Sequence, residues 1–164
     1  IFKREFWYSV PGNVINDTVI DVISHCLDSD TSIKSNQESK GYTKKAIQLL
    51  NKSLQKKENY KYIMDAGHLA GKAIEITGTN LLHSLSYPLT GHYNISHGTA
   101  LGFYLQFLKN LYNIEFPYEN FINKTQQFDN SIIKSLIEEA FTYNKMNESN
   151  LKISKENIYE YCSR

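Results

Sequence analysis

Three histidines lie close together in one short stretch of the chain. His83, His92 and His97 fall within residues 77–100, whereas the whole sequence of 164 residues contains five histidines. Histidine is a common metal ligand, and its side chain needs a polar partner when it is buried. The stretch is otherwise rich in Leu and Tyr, so the histidines indicate a site with chemistry, and metal binding is the first hypothesis.

A second pair of suitable side chains precedes this stretch. Asp21 and His25 stand four residues apart in the segment IDVISHCLD, a spacing that places both side chains on one face of a helix. If they meet His83 and His97, the resulting shell contains one carboxylate and three imidazoles, which suits Fe(II) or Zn(II) better than Mg²⁺ or Ca²⁺. A metal with an open position would polarise an alcohol or aldehyde oxygen for hydride transfer.

Each of these residues also has a simpler interpretation. Asp21 and His25 would also suit an ordinary exposed ion pair, and His83 would suit a core histidine with a polar partner. His92 fits either an ordinary loop histidine or a residue that faces a substrate. Spacing alone leaves these alternatives open.

Helical periodicity is the main structural pattern. Apolar residues recur with helical spacing through most of the chain, and no segment alternates as a strand would. A first helix is expected to begin at a cap formed by Asn16 or Asp17 and to end at a polar loop that starts at Asp28. Further helices are expected at residues 42–57, 60–77, 80–86, 97–113, 118–124, 131–143 and 154–161. The fold class is therefore all-α, an orthogonal bundle of about seven or eight helices in one domain over residues 1–164.

Particular residues are expected to shape these helices. Pro88 should end its helix at Tyr87, because proline lacks a backbone donor and restricts the residue before it. Ser96 should cap the following helix, and Ser35 or Ser39 should mark the start of an earlier one. The small residues of the helix at 60–77, among them Gly67 and Gly71, should allow another helix to come close.

Composition limits the classes of function. The formal net charge is +1, so the chain lacks the basic surface typical of nucleic-acid or anionic-membrane partners. No run of about 18 apolar residues exists. Cys26 and Cys162 lack a CxxC spacing, which fits a reducing cytoplasm. No P-loop or G-x-G-x-x-G segment occurs. The opening residues lack the apolar region of a signal peptide, and the initial Ile is compatible with a fragment or a processed product.

Two segments resemble the signatures of a known family. IDVISHCLD and AGHLAGKAIEITGTNLLHSLSYPLTGHYNISHGTA are similar to the two metal-binding signatures of the iron-containing (group III) alcohol dehydrogenases. The resemblance covers most of residues 11–105. It rests on Asp21, His25, His83 and His97 together with Ala70-Gly71, Thr79, Ser86-Tyr87-Pro88 and Gly98.

The resemblance implies a metal-dependent oxidoreductase domain. Asp21, His25, His83 and His97 match the four metal ligands of the family, so Fe(II) or Zn(II) is the implied metal. Members of the family combine an N-terminal α/β domain, which binds NAD(P), with a C-terminal helical domain that carries the metal. The chain is expected to be the second domain alone, with NAD(P) bound only through the absent N-terminal domain. Its expected substrate is a small-molecule alcohol or aldehyde, and the isolated domain is expected to be inactive.

Two further residues are candidates for catalysis. Tyr87 stands where some family members carry a histidine thought to contact substrate, and His92 is the second candidate. No residue of this chain is expected to bind the nicotinamide cofactor. Two alternatives remain: a non-catalytic metal-binding helical module that is a degenerate remnant, and a phosphonoacetaldehyde reductase-like member. The oligomeric state is open, with a homodimer allowed.

Overall fold

The structure, a computed structural model, describes residues 9–54, 60–112 and 129–162. The helices in these residues are α1 (Gly12–Thr31), α2 (Gln37–Leu54), α3 (Tyr60–Thr77), α4 (Leu81–Tyr93), α5 (His97–Tyr112), α6 (Asn130–Ala140) and α7 (Lys155–Cys162), with a 3₁₀ helix at Asn144–Glu148. No strand occurs in these ranges, where Ser32 and Ser149 form an isolated antiparallel bridge. The predicted all-α multi-helix bundle is confirmed.

Helix α1 lies at the centre of the bundle. It packs against α2, α3, α4 and α5, and its residues Val19, Ile20 and Ile23 are each at most 2% exposed. A helix with neighbours on several sides needs apolar residues around most of its circumference. Asp21 and His25 are only partly buried, so they lie at the edge of the packed surface of α1, beside His83 of α4.

Both predicted ends of α1 are wrong, because the helix is longer than its polar residues suggested. It begins at Gly12 rather than at Asn16 or Asp17, and it continues beyond Asp28 to Thr31. Asp28 is 1% exposed and accepts hydrogen bonds from the backbone of α4. Asp28, which was predicted at the start of a solvated loop, is therefore buried inside the protein.

Capping residues set the starts of three helices, and the cap of α2 is Asn36 rather than the predicted Ser35 or Ser39. At the start of α2, the N–H of Ser39 donates to Oδ1 of Asn36 at 2.9 Å, and the N–H of Asn36 donates to Oγ of Ser39 at 3.0 Å. Ser96 Oγ accepts from the N–H of Thr99 at 3.4 Å at the start of α5. Ser154 Oγ accepts in the same way at the start of α7, at 3.2 Å.

Helix α4 contradicts the prediction that Pro88 would end it at Tyr87. The helix continues through Pro88 to Tyr93, and Asn94 then takes the left-handed conformation with φ 51°. An internal proline costs about 3 kcal/mol. The continued helix buries Pro88 and Leu89 where α4 packs on α5 and α6, and burying a leucine contributes about 1.5–3 kcal/mol. Tertiary packing therefore offsets the lost hydrogen bond.

The close packing of α3 comes from its alanines. Ala66, Ala70 and Ala73 are all 0% exposed, and α3 packs against α1 and α2. A Cβ added to Gly67 would lie at an ordinary 3.5 Å from Val22, and one added to Gly71 would meet no atom within 4 Å. The interpretation of Gly71 as a contact residue is therefore wrong.

The end of the chain matches the predicted pattern in part. Helix α6 stops at Ala140, three residues before the predicted end at Tyr143, and the chain then turns into the 3₁₀ helix. The helix predicted at residues 118–124 lies outside the described residues. Within the described ranges, no helix has the length and apolar character that crossing a membrane requires.

Candidate metal centre

Helix α1 contributes two neighbouring side chains to the candidate metal centre. Asp21 and His25 are one helical turn apart, and Oδ1 of Asp21 lies 3.5 Å from Nε2 of His25. Their side chains are 31% and 20% exposed, so both groups are accessible from one side. The predicted sharing of a helix face is confirmed.

Helix α4 contributes His83, which lies in the first turn of that helix. The Asn80 side chain caps α4 by accepting from the N–H of Leu81, which gives the first backbone donor of the helix a partner. His83 is 3% exposed, and its Nε2 lies 3.4 Å from Oδ1 of Asp21. A residue 62 positions away in sequence is thus brought against α1.

Helix α5 contributes His97, its first residue. Nε2 of His97 lies 3.5 Å from the same Oδ1 atom of Asp21. The next residue, Gly98, is where α5 comes close to α1, because a Cβ at this position would lie 2.3 Å from Cα and 2.6 Å from the carbonyl oxygen of Asp17. Only glycine allows this approach without a backbone shift.

The spacing of these atoms is long for hydrogen bonds and is compatible with ligands of one metal ion. Three imidazole Nε2 atoms lie 3.4–3.5 Å from one oxygen of Asp21, whereas N–H···O bonds have a typical length of about 2.9 Å. One carboxylate oxygen also has too few lone pairs to accept well from three donors. Ligand atoms arranged tetrahedrally at about 2.1 Å from a metal lie about 3.4 Å apart.

The side chains present therefore fit Fe(II) or Zn(II). The ligand atoms of Asp21, His83 and His97 all lie within 4.8 Å of one another, and His25 stacks on His83 with ring centroids 4.7 Å apart. One carboxylate with three imidazoles is a donor set that both metals accept. Asp21, His83 and His97 form one group of mutually close ligand atoms, and His25 lies beside this group, 3.5 Å from Asp21.

A buried carboxylate supports His83 from the side opposite Asp21. Oδ2 of Asp28 lies 2.8 Å from Nδ1 of His83, and Asp28 also accepts from the N–H groups of Asn80 and Leu82. Asp28 was predicted at the start of a loop, and its contact with His83 was not predicted. The available signal was its position three residues after His25, on the same helix.

The charges of the cluster depend strongly on one another. Burial raises the pKa of Asp21, but hydrogen bonds with His83 and His97 and the charge of His25 hold it well below its ordinary value. Burial lowers the pKa of His83, but hydrogen bonds to Asp21 and Asp28 outweigh burial and raise the pKa to about 9. Burial lowers the pKa of His25, with the charge of Asp21 acting against it. A proton on His83 therefore balances the charge of Asp21, and a metal cation would replace that proton.

Tyr87 lies at the exposed edge of the cluster. Its ring is nearly parallel to that of His97, with planes 13° apart and centroids 6.5 Å apart, and it meets the His83 ring at 66°. Tyr143 adds a second aromatic ring, with its centroid 6.1 Å from that of Tyr87. Tyr87 is 39% exposed, so its ring borders the open side of the centre.

His92 lies apart from the four candidate ligands. It belongs to the last turn of α4 rather than to the predicted loop, and its side chain is 58% exposed. Nε2 of His92 lies 2.8 Å from Oε2 of Glu139, whose Oε1 accepts from the hydroxyl of Tyr143 at 2.9 Å. These hydrogen bonds lower the pKa of Glu139, His92 first and Tyr143 second. The residue types and spacing of Glu139 and Tyr143 did not predict this contact with His92.

Cys26 takes no part in the centre. The thiol is free and buried on α1. Burial and then the charge of Asp30 raise its pKa to about 12, so the thiol stays protonated near neutral pH and is a poor metal ligand.

The fold and the candidate centre together define a helical domain that presents one carboxylate and three imidazoles from three helices. A family model described as "Fe-containing alcohol dehydrogenase family, C-terminal" matches residues 15–153. The chain therefore belongs to the iron-containing alcohol dehydrogenase family, and the resemblance of its two signature segments is confirmed.

Curated relatives match part of the chain. Long-chain-alcohol dehydrogenase 1 of Geobacillus thermodenitrificans is 31% identical over 107 residues, which cover 61% of this chain and 27% of that protein. Alcohol dehydrogenase 4 of Saccharomyces cerevisiae is 28% identical over 100 residues, which cover 57% of this chain and 26% of that protein. The matched segment spans about a quarter of the length of these relatives.

Solved structures share the fold. An iron-containing alcohol dehydrogenase from Thermotoga maritima superposes with a TM-score of 0.81 at 23% identity, covering 96% of this chain and 50% of that one. Sulfoacetaldehyde reductase from Bifidobacterium kashiwanohense, solved in complex with NAD+, superposes with a TM-score of 0.78 at 18% identity, covering 98% and 52%. The chain thus spans about half the length of these structures.

Proposed function

We propose that this chain is the metal-binding catalytic domain of an NAD(P)-dependent alcohol dehydrogenase or aldehyde reductase. The observation that carries the proposal is the convergence of three imidazole Nε2 atoms within 3.4–3.5 Å of one oxygen of Asp21. Membership of the iron-containing alcohol dehydrogenase family supports it. The names of the curated relatives, one of them a long-chain-alcohol dehydrogenase, support an alcohol as substrate.

Asp21, His25, His83 and His97 would hold the metal. When bound, a divalent ion supplies a Lewis acid that polarises an alcohol or aldehyde oxygen. The chain contributes the negative charge of Asp21 and three neutral donors, each fixed by a different turn of helix. Asp21, His25 and His97 are partly exposed while His83 is buried, so a substrate would approach from the side opposite His83.

Tyr87 would orient the substrate at this open side. Its ring lies against those of His97 and His83, and Tyr143 extends the aromatic surface. The rings would exclude water from the carbon that exchanges hydride, because apolar surface there cannot hold solvent by hydrogen bonds. The Tyr87 hydroxyl would donate a hydrogen bond to the substrate oxygen or to a polar group of the substrate.

His92 would act from the rim of the site. It is exposed and paired with Glu139, so it would contact only a substrate that extends outward from the cluster. Its assignment as a catalytic residue stays a prediction.

The nicotinamide cofactor would be bound by the N-terminal domain of the family. The family model that matches this chain is the C-terminal one, and the sulfoacetaldehyde reductase of similar fold was solved with NAD+. A bound nicotinamide supplies or accepts the hydride. The helical domain would contribute the metal ligands and one wall of the cleft, so turnover would require both domains.

Metal analysis of the purified protein tests the site. After reconstitution with Fe(II) without oxygen, or with Zn(II), we expect close to one metal ion per chain by mass spectrometry. His83→Ala should lose this metal, because it removes a donor atom at the buried side. His68→Ala, a change of an exposed histidine on α3, should retain it. A wild-type protein that holds no stoichiometric metal after reconstitution would contradict the proposal.

A titration with NAD(P)H tests whether the nucleotide is bound only through the N-terminal domain. We expect no saturable change in NAD(P)H fluorescence when this helical chain is added at micromolar concentration. A chain that binds the nucleotide on its own, or oxidises an alcohol with NAD(P)+, would show that the N-terminal domain is not needed.

A further inference from the structure

Asp28 is a buried carboxylate that touches one candidate ligand from behind. It is 1% exposed and lies on α1, one turn beyond His25. Its Oδ2 lies 2.8 Å from Nδ1 of His83, whereas Nε2 of the same ring points toward Asp21 at 3.4 Å. The two ring nitrogens of His83 therefore face two different carboxylates.

Asp28 also holds the first turn of α4. Its Oδ2 accepts from the N–H of Asn80 at 2.9 Å and lies 3.4 Å from the N–H of His83, and its Oδ1 accepts from the N–H of Leu82 at 3.0 Å. The Asn80 side chain returns a hydrogen bond to the backbone oxygen of Asp28 at 2.7 Å. Backbone N–H groups at a helix start have no partner within the helix, so a buried carboxylate there is stabilising.

These contacts determine which nitrogen of His83 is free. Both side-chain oxygens of Asp28 accept from backbone N–H groups, so Nδ1 of His83 is assigned as the donor in its contact with Asp28. The lone pair of a neutral ring is then on Nε2, the atom that faces the cluster. Partners of this kind fix the ring orientation and increase the basicity of a metal-binding imidazole.

We infer that Asp28 is a positioning residue for metal binding, which fixes both the tautomer and the place of His83 by joining its ring and its helix start to α1. The inference rests on the proposed metal site. Asp28 itself binds no metal. Its loss should weaken metal binding by more than its effect on folding explains, whereas loss of a residue that only caps a helix should lower stability alone.

Two substitutions at the same helix start separate these effects. Asp28→Asn is nearly isosteric, but the amide offers one acceptor oxygen and places two donors against groups that donate. Asn80→Ala removes the neighbouring cap, which is 0% exposed, and leaves the Asp28 carboxylate on the His83 ring. Each variant is titrated with Zn(II) in competition with a chelator, at a temperature where both are folded by circular dichroism.

We expect Asp28→Asn to bind Zn(II) about 10- to 100-fold more weakly than wild type, and Asn80→Ala to bind within about threefold of wild type while melting at a lower temperature. Equal losses of affinity in the two variants, or none in Asp28→Asn, would overturn the inference and leave the metal site standing. A wild-type protein that binds no Zn(II) contradicts the metal site and the inference together.

A measurement on wild type does not depend on a folded variant. In the zinc-loaded protein, nitrogen-15 spectra of the histidine rings should show His83 with a slowly exchanging proton on Nδ1 and with Nε2 shifted by the metal. The same proton should exchange faster in Asp28→Glu, where the carboxylate is displaced by one methylene. Metal on Nδ1 of His83, or a rapidly exchanging Nδ1 proton in wild type, would overturn the inference.

Discussion

The imidazole rings of His25 and His83 stack in parallel, with centroids 4.7 Å apart and planes 2° apart, although the residues lie on different helices. Two protonated rings in this arrangement would repel each other, and the charge of His83 is one of the causes that lower the pKa of His25. The stack therefore favours one neutral and one protonated ring without metal, and two neutral rings with metal.

Substituting His25 with phenylalanine separates stacking from metal binding. The phenyl ring keeps the flat apolar surface against His83 but offers no nitrogen, so we expect His25→Phe to keep a melting temperature close to wild type without metal. Mutating a residue that only hydrogen-bonds a metal ligand lowers metal affinity by up to roughly 100-fold. Because His25→Phe removes a ligand itself, its zinc affinity should fall by more than this. Chelator competition and thermal melts measure both quantities, and unchanged zinc affinity would remove His25 from the ligand set.

The four candidate ligands were predictable because their residue types carry the chemistry. Asp21 and His25 have the helical spacing that places them on one face, and His83 and His97 lie in first turns that Asn80 and Ser96 cap. The meeting of three helices at this point was not contained in local spacing. It depended on similarity to a family in which the same order of residues occurs.

Asp28 and Pro88 show why local patterns miss other features. Asp28 is polar and was placed at the start of a loop, but its partners are 52 to 55 residues away in sequence. Pro88 disfavours helix locally, but the burial of Leu89 in the packed bundle outweighs that preference. In both cases the deciding energy comes from tertiary contacts, which propensity does not contain.

The pKa of His83 predicts how the stability of the metal-free protein changes with pH. The folded-state pKa of about 9 lies above the ordinary value of 6.5, so protonation favours the folded state. This stabilisation is fully present below about pH 6.5 and is lost as the pH rises through 9. At about 1.4 kcal/mol for each pH unit, the loss is on the order of 3 kcal/mol. The depressed pKa of Asp21 acts only at acidic pH, outside this window.

Urea unfolding in the presence of a chelator measures this pH dependence. The free energy of unfolding of wild type should fall between pH 6.5 and pH 9, whereas His83→Gln, which has no titrating ring at this position, should give a flatter profile. Parallel profiles for the two proteins would show that His83 does not carry the proton.

Gly98 predicts a steric coupling between α5 and the metal centre. A Cβ at this position would lie 2.3 Å from Cα of Asp17, so Gly98→Ala must push α5 away from α1 and move His97 away from Asp21. Overpacking of this kind costs about 1–3 kcal/mol, and we expect zinc affinity to fall as well.

A glycine in open space provides the matched control for Gly98. Gly71 is also helical, and an added Cβ would meet nothing within 4 Å. Gly71→Ala should therefore stabilise the protein by up to about 1 kcal/mol and leave zinc binding unchanged. Thermal melts and chelator competition on both variants test the coupling, which is disproved if Gly98→Ala keeps the affinity and melting temperature of wild type.

Removing the hydroxyl of Tyr87 is expected to slow turnover of substrate without changing metal binding. The ring borders the open side of the cluster, and its hydroxyl is proposed to donate to the substrate. Tyr87→Phe keeps the ring and removes the donor. A hydrogen bond to a charged group contributes about 1.5–3 kcal/mol. With the helical domain joined to an N-terminal NAD(P)-binding domain, kcat/KM should therefore fall about 10- to 100-fold while the metal content stays at one per chain.

Tyr93→Phe is the control for this change, because Tyr93 is a tyrosine at the end of the same helix. Tyr93 is 40% exposed and Tyr87 is 39% exposed. Tyr93→Phe should leave kcat/KM near the wild-type value. If Tyr87→Phe turns over substrate as fast as Tyr93→Phe, then Tyr87 serves only as an apolar wall of the site. In that case the donor to the substrate oxygen must come from another group, and because Tyr143 is the ring next to Tyr87, Tyr143→Phe in the same assay is the measurement that identifies it.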